Sequence, residues 1–135
     1  DHLGELVRRS LLEFKVEGVQ VKVVHADKPS RELLSDLRKD LVRNESNAND
    51  LVIANFVQGA LTGDGDAGHF SLVGAYDGKM QRVLILDVDR EWYEPYWVSD
   101  EVLVDGMATR DADAGKSRGY IVVNWQPIAQ IRKGH

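Results

Sequence analysis

Two residues with the chemistry of a general base and its orienting acid lie in the two halves of one segment typical of a β-hairpin. His69 is the second residue of the run GHFSLVGAYD, Asp87 ends the run VLILD, and Gly78 lies nine positions from each. If the hairpin folds about Gly78, His69 and Asp87 are direct cross-strand neighbours, whereas a two-residue turn at Asp77-Gly78 makes them diagonal neighbours. A histidine there would satisfy a carboxylate that is costly to bury alone and would have its own tautomer fixed.

This pair could serve either catalysis or structure. His–carboxylate pairs activate Ser or Cys nucleophiles in acyl transfer, and a structural histidine bonded to a buried acid has the same spacing. The chain contains no cysteine. Ser71 shares a strand face with His69, but residues so close on one strand rarely align with a substrate carbonyl, so Ser71 fits a packed strand serine better. We therefore expect the nucleophile to lie on a chain segment outside these residues.

The elements that must position the pair are predicted by apolar periodicity. Helical spacing indicates helices over residues 3–14 and 30–41, the second capped by Ser30, and a short helix that starts at Ser99. Alternation indicates strands at residues 19–25, 50–57 and 119–125, besides the two hairpin strands. Residues 44–49, 59–68, 92–97 and 109–119 are predicted loops. The pattern favours a single α+β domain over residues 1–135, with an antiparallel sheet flanked by helices.

Composition narrows the function classes. The chain has 135 residues, 43% of them hydrophobic, and a net charge of −5 that is spread along the sequence. This argues against nucleic acid as a partner, and no apolar run approaches the roughly 20 residues that cross a bilayer. The histidines lack zinc spacing, and the aspartate-rich loops at residues 64–68 and 111–115 lack the glutamate of a calcium loop. We expect a cytoplasmic protein without a resident metal, a membrane anchor or a nucleic-acid partner.

Six short motifs, in order, resemble the C-terminal half of the phytochelatin synthase catalytic domain. They lie in GHFSLVGAYDGKMQRVLILDVDREWYEPYWV, GMATRD and GKSRGYIVV, and the resemblance covers about residues 19–123. It implies a papain-like (cysteine proteinase) fold, of which this chain is the sheet half. The chain differs from the family pattern at Leu72 and Glu94, where prolines are common, and at Ser117 within a basic motif.

The resemblance also implies roles for individual residues. His69 becomes the general base and acid, and Asp87 its orienter. Binding the γ-glutamyl end of glutathione requires an acidic residue for its α-amino group and a basic residue for its α-carboxylate, and Arg is preferred for a carboxylate. Asp111 and Arg118 match the positions that hold this head group, although a surface salt bridge closing the loop is the alternative. The substrate-binding residues that the resemblance implies are Gly68, Arg90, Tyr93, Asp111 and Arg118.

The implied activity is acyl transfer on glutathione through a Cys-His-Asp triad to which this chain contributes His and Asp only. Cleavage of the Cys–Gly amide passes γ-glutamylcysteine to water or to a second glutathione. No cofactor is required for this chemistry, although activity in the family is linked to heavy-metal ions or metal-thiolates. The expected ligands are glutathione and γ-glutamyl peptides, and apolar surface suited to the missing half favours a homo-oligomer, such as a dimer. Two alternatives are a non-catalytic fragment that binds γ-glutamyl compounds or a partner, and another papain-like peptidase.

Overall fold

A computed structural model describes residues 1–112 and 114–127 of the chain. Over these residues, helices and strands alternate along the first half, and strands dominate the second. The helices are α1 (His2–Glu13), α2 (Ser30–Glu45), α3 (Gln58–Thr62) and α4 (Asp100–Met107). The longer strands are β1 (Gln20–His25), β2 (Asp50–Val57), β3 (Gly68–Asp77), β4 (Arg82–Asp87), β5 (Tyr96–Ser99) and β8 (Gly119–Asn124). The short strands β6 (Arg110–Asp111) and β7 (Lys116–Ser117) pair only with each other.

The six longer strands form one sheet in the order β1-β8-β2-β3-β4-β5, and every pairing within it is antiparallel. The last strand, β8, is therefore inserted between β1 and β2. Gly119, at its start, lies so close to β1 that a Cβ there would overlap the carbonyl oxygen of Val24. The expectation of an α+β chain with an antiparallel sheet is confirmed.

One face of the sheet is covered by α2 and α4. The apolar stripe predicted for α2 is confirmed, because Leu33, Leu37 and Leu41 are fully buried in the core. From α4, Leu103 and Met107 join them. His69 of β3 and Asp87 of β4 also point to this face. The candidate pair therefore lies at the edge of the principal core.

The opposite face is only partly covered. Gly4 of α1 brings that helix against Val21 and Val23 of β1. Further along the sheet, Phe70 is 44% exposed and Leu86 is 37% exposed. Apolar side chains of β3 and β4 thus remain accessible on the face that carries α1.

Regular structure lies inside the predicted loops. The paired strands β6 and β7 fall within the segment 109–119. α3 occupies much of the first half of the segment 59–68, and β5 begins inside the aromatic segment 92–97 and pairs with β4. The hydrogen bonds between β4 and β5 hold Tyr96 and Trp97 in an extended conformation. The sequence does not indicate this strand, because the neighbouring Pro95 is typical of a turn. Asp113 and His135 lie outside the described residues, so the expectations that involve them are not tested.

Helix starts gave mixed results. α4 begins as predicted, since the Ser99 hydroxyl accepts a hydrogen bond from the Val102 N–H at 3.1 Å. Ser30 as a cap is wrong, because α2 begins at Ser30 itself and Pro29 takes the cap position without a side-chain bond. Asn44 lies within α2 and not in a loop, and its amide donates to the Asp50 carboxylate at 2.8 Å.

Among residues 1–112 and 114–127, no helix combines the length and apolar character needed to cross a bilayer.

Candidate active site

His69 and Asp87 form a short hydrogen bond at one end of the sheet. The His69 Nε2 atom lies 2.7 Å from Asp87 Oδ1. The Asp87 side chain is fully buried and that of His69 is 15% exposed. The geometric part of the sequence prediction, that the histidine satisfies this buried carboxylate, agrees with the structure.

The pair is diagonal and not directly opposed, and this corrects the hairpin folded about Gly78. Ser71 is the residue directly across from Asp87, two positions along β3 from His69. The strands join through Gly78–Gln81, because Asp77 pairs with Arg82, and the register shifts between Val73 and Ala75. This bulge and the longer loop together set the offset.

Three groups donate hydrogen bonds to the Asp87 carboxylate or share a proton with it. Oδ1 receives the His69 contact and the Asp89 backbone N–H, which lies 2.9 Å away. Oδ2 accepts from the Tyr96 hydroxyl at 3.3 Å. Because both oxygens are engaged, the carboxylate plane is fixed from three directions, and a buried anion is stabilised by hydrogen bonds.

The second ring nitrogen of His69 is left for other chemistry. Within the described residues, Nδ1 makes no hydrogen bond, while Nε2 is occupied by Asp87. The Phe56 ring meets the imidazole edge-on, with ring centroids 5.7 Å apart. The neutral tautomer that donates Nε2–H to Asp87 therefore presents a bare Nδ1, which can accept a proton from a nucleophile.

Ser71 is placed where it cannot attack a substrate. Its side chain is fully buried, and its hydroxyl oxygen has no hydrogen-bond partner among the described residues. It lies on the same face as His69, as expected, but inside the core. The packed strand serine, which was the preferred interpretation of Ser71, agrees with this position.

Asp111 and Arg118 line one cleft of about 540 Å³. Arg118 is 8% exposed; its Nη1 donates to the Thr109 hydroxyl at 3.2 Å, and its Nε is buried without a described hydrogen-bond partner. Gly68 is what lets the guanidinium lie here, since a Cβ at this position would come within 2.9 Å of Arg118 Nη2. Three predicted substrate-binding residues are thus brought to one region.

Arg90 and Tyr93 line a second cleft of about 400 Å³, together with Asp87 itself. The Tyr93 hydroxyl donates to Asp64 Oδ2 at 2.6 Å, and this contact raises the pKa of Tyr93. The aromatic loop is thereby tied to the loop that precedes β3. Of the five predicted binding residues, Asp111 and Arg118 line the first cleft, Arg90 and Tyr93 line the second, and Gly68 lies against the Arg118 guanidinium.

The residues that sequence reasoning missed are Tyr96 and Thr109. Tyr96 contacts Asp87 directly, and Thr109 accepts from Arg118. The run Tyr96-Trp97-Val98 has strong strand propensity and could have indicated β5. No group of three or more metal-ligating side chains occurs in the part of the chain that the structure describes.

Comparison with known proteins identifies relatives of this chain. The sequence model described as phytochelatin synthase matches residues 8–120. A glutathione gamma-glutamylcysteinyltransferase 1 from Arabidopsis thaliana is 35% identical over 101 residues, which are 75% of this chain and 21% of that protein. The Schizosaccharomyces pombe glutathione gamma-glutamylcysteinyltransferase is 34% identical over 88 residues, 65% of this chain and 21% of the relative. The chain thus spans about a fifth of the length of these curated relatives, and it belongs to the phytochelatin synthase family.

Proposed function

We propose that this chain supplies His69 and Asp87 to γ-glutamylcysteinyl transfer from glutathione, with a cysteine nucleophile provided by residues outside the chain. The observation that carries the proposal is the 2.7 Å contact between His69 Nε2 and Asp87 Oδ1, which leaves Nδ1 unengaged. A base that is oriented by a carboxylate and has one open nitrogen is what an acyl-transfer nucleophile requires. The curated relatives, all named as glutathione gamma-glutamylcysteinyltransferases, supply the substrate class.

In the proposed first step, His69 Nδ1 takes the thiol proton and the thiolate attacks the carbonyl carbon of the Cys–Gly amide. A carbon–sulfur bond forms, the carbon–nitrogen bond breaks, and the imidazolium Nδ1–H protonates the departing glycine nitrogen. The products of this half-reaction are free glycine and a γ-glutamylcysteinyl thioester. Asp87 holds the ring and stabilises the imidazolium but does not itself take a proton.

In the second step, the acceptor attacks the thioester while His69 Nδ1 removes a proton from the attacking atom. The thiolate leaves, takes up that proton, and is regenerated as thiol. Water as acceptor gives γ-glutamylcysteine, and the α-amine of a second glutathione gives the elongated peptide. Metal-thiolates of glutathione are the acceptor class that the family resemblance adds, and they enter as substrates.

The first cleft is the proposed site for the γ-glutamyl head group. The buried Nε of Arg118 has no hydrogen-bond acceptor among the described residues. A carboxylate is the acceptor that a guanidinium binds best, so the α-carboxylate of the γ-glutamyl group fits this position. Asp111, on the same cleft, supplies the negative charge for the α-amino group. The second cleft, with Arg90 and Tyr93 beside Asp87, is the proposed approach of the second substrate.

We propose a papain-like arrangement for the complete site, with the cysteine on a helical half and this chain as the sheet half. The partly exposed Phe70 and Leu86 lie on the sheet face that only α1 covers. Burial of these two side chains by residues outside the chain would remove apolar surface from water, while the cysteine must reach His69 Nδ1 at the end of the sheet, on the opposite face. The homodimer expected from the sequence is a separate proposal, which the mass of the complete protein in solution tests.

The proposed function is tested by trapping the intermediate. A protein that contains this chain and a cysteine-bearing half is mixed with glutathione, quenched in acid and analysed by mass spectrometry. We expect one γ-glutamylcysteinyl group on a cysteine and one equivalent of released glycine. Glycine release without an acylated cysteine, or no release at all, would contradict the mechanism.

A second candidate function is binding without turnover by this chain alone. The buried, partly unsatisfied Arg118 favours it, because that group belongs entirely to the described residues. Calorimetry with the 135-residue chain and glutathione tests binding, and glycine release is measured with the complete protein, because the chain alone has no cysteine. Binding without glycine release supports a binding module, and absence of binding removes that candidate.

A further inference from the structure

The second oxygen of Asp87 has its own side-chain donor. Oδ1 is shared by His69 Nε2 and the Asp89 backbone, whereas Oδ2 accepts from the Tyr96 hydroxyl at 3.3 Å. The Asp87 side chain is fully buried, so water does not replace a missing donor at no cost. Tyr96 is therefore the one described side chain that hydrogen-bonds to this oxygen.

Tyr96 reaches Asp87 because β5 pairs with β4. Tyr96 lies directly opposite Ile85, two residues before Asp87 on β4. The Tyr93 ring packs at a tilt against it, with centroids 6.2 Å apart. Burial, and then the charge of Asp87, raise the pKa of Tyr96 far above its usual range. The hydroxyl is therefore protonated, and is a donor, at neutral pH.

We propose that Tyr96 is a positioning residue of the His69–Asp87 pair. By holding Oδ2, it fixes the carboxylate plane so that Oδ1 faces His69 Nε2, and its hydrogen bond stabilises the buried anion. The inference rests on the proposed function for its importance to catalysis, but the contact itself is a property of this chain. Tyr96 touches neither a substrate nor a reacting atom, since it acts through Asp87.

A phenylalanine at this position has a clear physical consequence. The ring would still fill the space beside Tyr93, but Oδ2 would lose its side-chain donor and the anion would be less stable. The carboxylate would also be free to turn about its Cβ–Cγ bond, which loosens the contact with His69. Both effects weaken the pair without removing a core side chain.

The test must account for every charge near the pair. In the described part of the chain, the titratable or charged groups that contact Asp87 or share its cleft are His69, Asp89, Arg90, Tyr93, Glu94 and Tyr96. The substitution Tyr96→Phe leaves all of the others in place. A change in titration can then be assigned to the lost hydroxyl.

The first measurement follows the proton on His69 Nε2 by NMR in the 135-residue chain labelled with ¹⁵N-histidine. Its strongly downfield signal reports the bond to Asp87 and is lost when acid protonates the carboxylate. In Tyr96→Phe we expect this loss at a pH higher by about 0.5 to 1 unit, a three- to tenfold change in proton affinity. An unchanged midpoint would overturn the proposal.

The matched control is Tyr76→Phe, which also removes a tyrosine–aspartate hydrogen bond. The Tyr76 hydroxyl donates to Asp100 Oδ2 at 2.9 Å, on the α4 side of the core. We expect this variant to lose the His69 signal at the wild-type pH. An equal shift in both variants would show a general effect of destabilisation and would overturn a specific role of Tyr96.

A second measurement needs no substitution and decides the matter even if Tyr96→Phe does not fold. In the wild-type chain labelled with ¹³Cζ-tyrosine, the Tyr96 resonance should move at the same pH midpoint at which the His69 Nε2–H signal is lost. The Tyr76 resonance should be flat there. A flat Tyr96 resonance would overturn the proposal.

The consequence for catalysis is read separately. In the protein with its cysteine-bearing half, Tyr96→Phe should lower kcat about three- to tenfold with little change in KM, and should move the acid limb of kcat/KM upward. A wild-type protein without activity on glutathione would refute the proposed function, while the NMR titrations would still decide the role of Tyr96.

Discussion

His69 bonds to Asp87 from a diagonal position, because Ser71 occupies the place directly opposite the carboxylate. The imidazole leans along the strand to close a 2.7 Å contact. The register shift after Val73 and the four-residue connection from Gly78 to Gln81 produce this offset. The geometry of the pair is therefore a property of the whole hairpin.

The substitution Asp87→Asn should preserve the fold and disturb the tautomer of His69. The amide can donate to Nε2, which moves the ring proton to Nδ1 and blocks the atom that must accept the nucleophile's proton. We expect ¹⁵N shifts of His69 in the chain to report more of the Nδ1–H form. In the protein with its cysteine-bearing half, kcat should fall roughly 10²- to 10⁴-fold.

The control for that variant is Asp36→Asn, which changes an ion pair between Asp36 on α2 and Lys28, which precedes that helix. We expect wild-type His69 shifts and wild-type turnover from it. An Asp87→Asn protein with the wild-type tautomer and full activity would show that the carboxylate charge is irrelevant.

Gly68→Ala should weaken glutathione binding through Arg118. The new Cβ would come within 2.9 Å of Arg118 Nη2 and displace a buried guanidinium from the first cleft. We expect Kd for glutathione to rise roughly tenfold in Gly68→Ala, and tenfold to a hundredfold in Arg118→Ala, by calorimetry. Gly78→Ala is the control, since its Cβ meets only Tyr76 at an ordinary 3.8 Å. Unchanged affinity in both cleft variants would remove Arg118 from the binding site.

The tyrosines should make the fold sensitive to alkali. Burial above all raises the pKa of Tyr76, Tyr96 and Tyr120, and the contact with Asp64 raises that of Tyr93. Because these pKa values are higher folded than unfolded, the native state holds more protons above about pH 10. This contribution is complete below the unfolded value of about 10 and is lost as pH rises beyond it.

Urea denaturation followed by tryptophan fluorescence checks this prediction. The unfolding midpoint should be flat between about pH 8 and pH 9 and should fall above about pH 10. Tyr120→Phe should have a smaller fall, since phenylalanine cannot ionise. If the urea midpoint of Tyr120→Phe falls with pH as much as that of the wild type, the loss of stability in alkali belongs to other groups.

Much of the candidate site could be predicted because its signals are local. A charged residue at the end of an apolar run identified Asp87, and turn residues between two alternating runs identified the hairpin that joins it to His69. The helix cap at Ser99 is also a local feature. The face shared by His69 and Asp87 is not local in this sense. With the register of Asp77 and Arg82 alone they would lie on opposite faces, and the shift between Val73 and Ala75 brings them to the same one.

The remainder depends on contacts between distant segments. The bulge between Val73 and Ala75 adds a residue to β3, and the turn residues of the hairpin do not predict it. β5 is extended because β4 lies beside it, although Pro95 and the aromatic cluster are typical of a loop. Tyr96 was missed for the same reason, since its contact with Asp87 exists only once β5 joins the sheet.

The central claim is that His69 is the acid and base of a thioester mechanism. Its most direct test is glycine release from glutathione by a protein that contains this chain and its cysteine-bearing half, compared with the variant His69→Ala. We predict that wild type and Asp36→Asn release glycine at equal rates, and that His69→Ala loses at least about 100-fold in kcat. A folded His69→Ala protein that retains substantial glycine release would contradict the account.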